Sequence, residues 1–256
     1  MNQLNNIKFT LITGASHGIG KALAEECAAK NMNLILVARS EQALIELTGR
    51  LKHKYHIEVL HYIADLTEPG SVKALYHWCK SNNYTVDILI NNAGMGLFGN
   101  FEKIDIDKQM NLIQLNIESI VQMSYYFLPM LNKQNKAYLL NVASLAALYP
   151  LPYYSTYGAS KAFVLSFTEA LRFEYRNSKI QISCLCPGDT KTKFFEDAGN
   201  HKKHGKLMDP TMVAKVGLSE LITGKSVIFP ASVKWIARIP KSLLKKIVAK
   251  RTTTYF

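Results

Sequence analysis

Lys8-Phe9-Thr10-Leu11-Ile12-Thr13-Gly14-Ala15-Ser16-His17-Gly18-Ile19-Gly20 is the stretch on which the reading of this chain turns. Lys8 to Thr13 reads as an apolar strand buried on both faces, and a helical pattern opens at Gly18 and runs to Lys30. A glycine-rich turn between such a strand and helix lets backbone N–H groups approach a pyrophosphate, and the helix N-terminus favours its charge. Gly14, Gly18 and Gly20 supply the room, with Ser16, His17 and Ile19 between them. The spacing is Gly-x-x-x-Gly-x-Gly, so the generic Gly-x-Gly-x-x-Gly dinucleotide pattern does not strictly apply.

Working outward, strand-like and helix-like stretches alternate almost to the end, the pattern of a parallel sheet with helices on both faces. Further strands are expected at 33–38, 58–63, 87–90, 137–142, 179–186 and 226–229. Helices are expected at 41–55, 69–81, 107–131 and 155–177, the 69–81 helix with Thr67 as N-cap and Pro69 at its start. No repeat or low-complexity linker interrupts the 256 residues, so residues 1–256 read as one α/β domain.

The second strand ends Val37-Ala38-Arg39-Ser40, without the acid that would accept hydrogen bonds from the ribose hydroxyls of NAD. Arg39 offers a guanidinium fork suited to a phosphate, Ser40 can add a hydroxyl, and His17 can support the same group. NADP is therefore expected over NAD. Asp65, in Ala64-Asp65-Leu66-Thr67, is placed to meet the adenine edge or to serve as a helix N-terminal polar residue. In Asn91-Asn92-Ala93-Gly94, small residues would let the chain pass close to a flat cofactor while the amides tie the loop to neighbouring strands.

Chemistry concentrates further on. Tyr157 and Lys161 lie at i and i+4 of a helical pattern and share one face, with Ser144 upstream. A nearby ammonium favours phenolate, so Lys161 is expected to lower the Tyr157 pKa and make it a proton donor or acceptor near neutral pH.

Charge and cysteine usage bound the rest. Lys and Arg number 31 against 19 acids, a net charge of +12. No acidic residue follows Glu220, whereas Lys225, Lys234, Arg238, Lys241, Lys245, Lys246, Lys250 and Arg251 do. No DNA- or RNA-binding motif accompanies that charge, so no specific nucleic-acid partner is expected. The basic amphipathic run at 233–251 either lies on an anionic membrane surface or closes the pocket or an oligomer contact. The opening MNQLNNIKFT lacks a signal-peptide pattern and no apolar run is long enough to span a bilayer, which makes the cytoplasm the expected location. Cys184 and Cys186 share one face of a strand without further ligands nearby, and no metal site is expected.

These ordered motifs resemble the short-chain dehydrogenase/reductase family in its compact single-domain branch. The resemblance covers about 8–195: Thr13-Gly14-x-x-x-Gly18-x-Gly20, Asn91-Asn92-Ala93-Gly94, Asn116, Ser144, Tyr157-x-x-x-Lys161 and Pro187-Gly188. It implies a three-layer Rossmann fold, a doubly wound seven-stranded parallel sheet in the order 3-2-1-4-5-6-7. Residues 1–195 would be the cofactor-binding and catalytic core, and 196–256 a substrate-side region and tail. Tyr157 would be the general acid or base, Lys161 would bind the nicotinamide ribose, and Ser144 would hold the substrate oxygen. Asn116 would kink its helix and hold a proton-relaying water. Pro187, Gly188, Thr190 and Thr192 would pass the nicotinamide, with Asp189 a departure from the small residue or proline expected there. Residues 92–101 and 157–164 look like a bacterial-type group of reductases related at a distance to hydroxysteroid and long-chain 3-ketoacyl reductases. A homodimer or homotetramer is implied. The expected pocket residues Met95, Leu97, Phe98, Leu145, Leu148, Tyr149, Leu151, Tyr154, Phe194 and Phe195 are mostly apolar, pointing to a small apolar ketone, aldehyde or alcohol. The alternative in a different class is a non-catalytic NADP(H)-binding sensor or scaffold.

Overall fold

The computed structural model describes residues 7–200, 207–231, 233 and 239. Its strands are β1 (Lys8–Thr13), β2 (Asn33–Ala38), β3 (Val59–Ile63), β4 (Thr85–Asn91), β5 (Ala137–Val142), β6 (Ile180–Leu185) and β7 (Val227–Ile228). The helices are α1 (Gly18–Ala29), α2 (Glu41–Tyr55), α3 (Ser71–Ser81), α4 (Ile106–Ile113), α5 (Ser119–Leu131), α6 (Ser155–Glu174), α7 (Phe194–Asp197) and α8 (Pro210–Ile222). All seven strands pair in parallel in the order β3-β2-β1-β4-β5-β6-β7. The expected Rossmann sheet is therefore present, with its order.

Parallel neighbours need crossovers, and those crossovers coat both faces. The side-chain alternation of the strands shows it directly. Ile12, Leu34, Leu36, Ile88 and Ile90 face the layer of α1, α2 and α8, together with Leu23, Leu44 and Leu218. Phe9, Leu11, Ile35, Val37 and Leu89 face the opposite layer, with Leu75 of α3 and Phe127 of α5. The order in which strands are added across the sheet reverses between β1 and β4, so the loops after these two parallel strands open a crevice at their carboxyl ends. That crevice is where the glycine-rich turn and Asn91-Asn92-Ala93-Gly94 meet.

Several elements depart from the expectation. The helix expected from Pro69 begins at Ser71, with Gly70 left-handed at its N-cap position (φ +80°). Asp65 explains the shift: its side chain accepts from the N–H and hydroxyl of Thr67, which closes a turn ahead of the helix and takes Thr67 away from capping. The helix expected over 107–131 is three pieces, α4 and α5 being joined by a π-helical turn at Gln114–Glu118 that carries Asn116. α8 lay outside the expected elements, although Asp209-Pro210 holds its start signal. The Asp209 side chain accepts from Thr211 N–H, and Pro210 occupies the first turn. Among the described residues no helix is long and apolar enough to cross a membrane. Apart from Val233 and Ile239, the basic run at 233–251 lies outside the described residues.

Candidate active site

The floor of the crevice is backbone packed on backbone. Gly14 has φ +64°, and a Cβ there would stand 2.8 Å from Ala93 Cα. At Gly20 a Cβ would stand 2.1 Å from the Gly14 carbonyl oxygen, a distance no side chain tolerates. Thr13 and Asn92 lock the two loops together. The Thr13 hydroxyl accepts from the N–H groups of Asn92 and Ala93, both at 3.0 Å. The Asn92 amide donates back to the carbonyls of Thr13 and Gly14. Asn91 donates to Asn141 across the β4–β5 pairing, and Asn141 to Thr168 of α6, both at 2.9 Å. The amides thus tie the loop to its neighbours as expected. A turn emptied of side chains at a helix N-terminus, beside a second small-residue loop, fits a dinucleotide pyrophosphate.

Arg39 and Asp65 follow from the register of β2 on β3. Ala38 pairs with Ile63, which sets the strand ends side by side. Arg39 Nη1 then reaches Asp65 Oδ2 at 3.1 Å. Asp65 is held below the usual carboxylate range: burial pushes it up, but the Thr67 hydrogen bonds and the Arg39 charge outweigh this. So the structure joins two residues to which the sequence assigned separate partners. A guanidinium has five donors, and the ion pair leaves Arg39 able to meet a phosphate as well. Ser40 sits at the α2 N-cap without a side-chain capping bond, His17 Nδ1 lies 2.8 Å from Ser16 Oγ, and Leu66 is buried in the core.

The reactive groups assemble where β5 and α6 meet. Ser144, two residues past the end of β5, caps a 3₁₀ turn at Leu145–Leu148, its hydroxyl accepting from Ala146 N–H at 3.1 Å. The same hydroxyl faces the Tyr157 phenol and draws its pKa down. Lys161, one turn along α6, sets Nζ 5.9 Å from the centre of the Tyr157 ring and donates to the Val142 carbonyl at 3.0 Å. All three expected groups therefore converge.

Their electrostatics differ from the expectation. The Tyr157 phenol is not lowered but held well above its ordinary range. Burial is the largest cause, the Ser144 hydroxyl opposes it, and the Asp189 charge adds to it. Desolvation wins because Tyr157 is nearly enclosed and the Lys161 ammonium is directed at a carbonyl. Burial likewise lowers Lys161 from 10.5 to about 8, with the neighbouring Cys184 and Cys186 raising it slightly.

Asn116 is fully buried. It donates to Met95 O (2.9 Å) and Ser160 Oγ (3.0 Å), and accepts from Met95 N–H (2.9 Å). Its side chain thus fixes the loop after β4 to α6, with both N–H donors engaged. A Cβ on Gly94 would lie 3.1 Å from Asn116 Oδ1 and 3.2 Å from Lys161 Nζ, so these two groups flank that glycine. Ser160, which the sequence reading passed over, completes the link by donating to Tyr157 O at 2.7 Å. Gln109 was also missed. Buried in α4, it accepts from the Thr156 hydroxyl at 2.5 Å and donates to the carbonyls of Phe101 and Ile104, tying the first turn of α6 to the loop before α4. Nothing in the sequence pattern marks it.

The loop after β6 closes the crevice. Leu145 N–H donates to Pro187 O, and the Thr190 hydroxyl is spent on Gly188 O at 2.8 Å. Thr192 accepts from Phe194 N–H and lays its methyl where a Gly18 Cβ would lie, 2.9 Å away, so this loop rests on the glycine turn. Above Tyr157 stands an aromatic wall: the rings of Tyr154 and Phe194 lie 5.9 and 5.2 Å from its own. Met95, Leu97, Phe98 and Leu151 pack on the same cluster. An open hollow of about 470 Å³ between Gly99–Glu102 and Pro152–Ser155 lies beside this wall. Among the described residues, no group of three or more His, Cys, Asp or Glu side chains could hold a metal.

Comparison with known proteins agrees with this geometry. The family model for short chain dehydrogenase matches residues 8–203. The very-long-chain 3-oxoacyl-CoA reductase-B of Danio rerio is 34% identical over 194 residues, 73% of this chain and 60% of that protein. The aligned part is thus less than two thirds of that relative. An NADP-dependent 3-hydroxy acid dehydrogenase of Schizosaccharomyces pombe is 33% identical over 232 residues, 86% of this chain and 89% of that one. A solved short-chain dehydrogenase from Sphingobium yanoikuyae, in complex with NADPH, superposes with a TM-score of 0.84 at 30% identity, covering 90% and 91% of the two chains. With its motifs, sheet order and family match in agreement, the chain belongs to the short-chain dehydrogenase family.

Proposed function

We propose that this chain is an NADP(H)-dependent oxidoreductase that interconverts an apolar ketone or aldehyde with its alcohol. The observation that carries the reading is the convergence of Ser144, Tyr157 and Lys161 on one wall of a crevice whose floor is cleared for a pyrophosphate. Gly14, Ser16, Gly18, Ile19 and Gly20 would hold the pyrophosphate, and Arg39 with Ser40 and His17 the phosphate that distinguishes NADP from NAD. Asn92, Ala93 and Gly94 would flank the adenosine ribose. Lys161, Pro187, Gly188, Thr190 and Thr192 would meet the nicotinamide end. Bound NADP(H) supplies or takes the hydride.

The protein's part is proton management. Burial keeps Tyr157 a neutral phenol throughout the physiological range, so in reduction it stands loaded as a general acid. An alkoxide is a stronger base than a phenolate, and proton transfer from Tyr157 Oη to the nascent alkoxide therefore runs downhill. Ser144 Oγ, beside that phenol, would hold the same substrate oxygen and stabilise its developing charge. Lys161, lowered to about 8, can both carry and release a proton near neutral pH and so help restore the phenol. Met95, Leu97, Phe98 and Tyr154 give the surroundings their apolar character.

The test is loss of NADPH absorbance against a panel of apolar ketones, aldehydes and 3-ketoacyl thioesters, with NADH and Tyr157→Phe alongside. Turnover selective for NADPH and reduced about 10²–10⁴-fold in Tyr157→Phe is expected. Undiminished turnover in that variant would refute the assigned role. Tight NADPH binding without turnover of any substrate would favour the sensor reading.

A further inference from the structure

Resting on that reading, we infer that Phe194, seated in a slot left by Gly96, sets how bulky a carbonyl substrate can be beside Tyr157. The Phe194 ring centre is 5.2 Å from that of Tyr157, the planes inclined at 52°. A substrate oxygen must come within about 3 Å of the Tyr157 hydroxyl. Its carbon then carries two substituents close to this phenol, and the ring packed on Tyr157 limits the larger of them.

Gly96 makes room for that ring. A Cβ at position 96 would stand 2.4 Å from Phe194 Cζ and 3.0 and 3.1 Å from its two Cε atoms. Any side chain there would force the ring to move. The backbone around Phe194 is held on both sides, so the ring is a placed wall and not a free rotor. Phe194 N–H donates to Thr192 Oγ1 at 3.2 Å, and Phe194 O accepts from Ala198 N–H at 3.0 Å. Farther along, Ala198 O accepts from Phe98 N–H at 2.9 Å and Asn200 Nδ2 donates to the Tyr154 hydroxyl at 2.9 Å. The segment is thus pinned to the loop after β4 and to the residue three before Tyr157. Neither Gly96 nor the Phe194 ring takes part in the proton chemistry, so their variants separate size selection from catalysis.

The experiment compares kcat/KM for benzophenone and acetophenone with NADPH, in the wild type, Phe194→Ala, Gly96→Ala and the double variant. NADPH dissociation constants are measured by fluorescence titration on the same proteins. Phe194→Ala is expected to raise the benzophenone-to-acetophenone ratio at least about tenfold, the scale of a lost apolar contact, with NADPH affinity held within about twofold. Gly96→Ala should lower the ratio, because the displaced ring is pushed into the pocket. The double variant should match Phe194→Ala, since without the ring the new methyl has nothing to strike. A ratio unchanged in Phe194→Ala, or a Gly96→Ala effect that survives in the Phe194→Ala background, would overturn the inference. Phe194→Leu, which keeps the apolar packing, gives a graded shift should the alanine variant fold poorly. If the wild type reduces neither ketone, the same ratio is read as their affinities for the NADPH complex by saturation-transfer NMR. Activity retained in Tyr157→Phe would instead count against the catalytic reading on which this rests.

Discussion

Replacing Lys161 by Met should make the protein inactive and, near neutral pH, more stable. Lys161 is 4% exposed, and burial lowers its pKa from 10.5 to about 8. At about 1.36 kcal/mol per unit, the drop from 10.5 to about 8 corresponds to roughly 3 kcal/mol against the charged form in the folded state. The sign follows from proton binding. Between these two values the unfolded chain binds the proton and the folded one does not, so stability rises with pH across that window. Below about 8 both states hold the proton and the full penalty is present; above about 10.5 it is gone. Met is of similar volume and carries no charge, but its presence orphans the Val142 carbonyl, which costs roughly 1–2 kcal/mol. A net gain of about 1 kcal/mol near pH 7 remains. The pH dependence is the sharper readout, because the Val142 term is constant. The stability difference between variant and wild type should shift by roughly 2 kcal/mol toward the wild type from pH 7 to pH 10. Guanidinium unfolding at both values, with equal m-values, measures it. A difference that does not change with pH would refute the claim that Lys161 is held at a desolvation cost.

Three other variants test the rest of the site. Gly20→Ala brings a Cβ within 2.1 Å of the Gly14 carbonyl, so NADPH binding followed by fluorescence should weaken at least about a hundredfold, a loss above 2.7 kcal/mol; near-normal affinity would remove the glycine turn from the cofactor site. Asn116→Leu leaves the N–H and C=O of Met95 without their partner, and at about 1–3 kcal/mol per orphaned group urea unfolding should register a loss of roughly 2–5 kcal/mol. Arg39→Ala should weaken NADPH about tenfold and NADH less than about twofold, the measure of one charge-assisted contact to phosphate; equal effects on both would return Arg39 to the surface ion pair it makes with Asp65.

The fold was legible in the sequence because both of its signals are strong. Buried parallel strands read as unbroken apolar runs, as at Leu34–Val37, and Gly14, Gly18 and Gly20 mark the first crossover. The site was legible as a set of residues, since Tyr157 and Lys161 share a helix face whatever surrounds them. What the sequence could not supply was the balance of environments at each group. The i, i+4 spacing puts an ammonium near a phenol, but it says nothing of where the ammonium points. In the fold Lys161 turns to Val142, and burial then governs both residues. The same holds for Arg39 and Asp65, 26 residues apart, whose pairing depends on the β2–β3 register. Gln109 and Ser160 went unread because a buried amide or hydroxyl acquires meaning only from partners brought in by tertiary structure.

That balance has a chemical consequence. Desolvation disfavours charge, so it acts in opposite directions on an acid and a base: it raises Tyr157 and lowers Lys161. The two proton affinities, nearly equal at their ordinary values, are thereby driven apart, and one enclosure accomplishes both shifts. A phenol that stays protonated cannot be the resting base for alcohol oxidation, but it is always ready to protonate an alkoxide. With Tyr157 in its proposed role, the free protein would be set for reduction, and a positive charge arriving beside Tyr157, such as an oxidised nicotinamide, would favour the phenolate and the reverse reaction. Asp189 sharpens this asymmetry, because its carboxylate opposes a second negative charge at Tyr157. On this reasoning Asp189→Asn lowers the Tyr157 pKa and favours oxidation at a given pH, which links the residue that departs from the family pattern to the direction of the reaction.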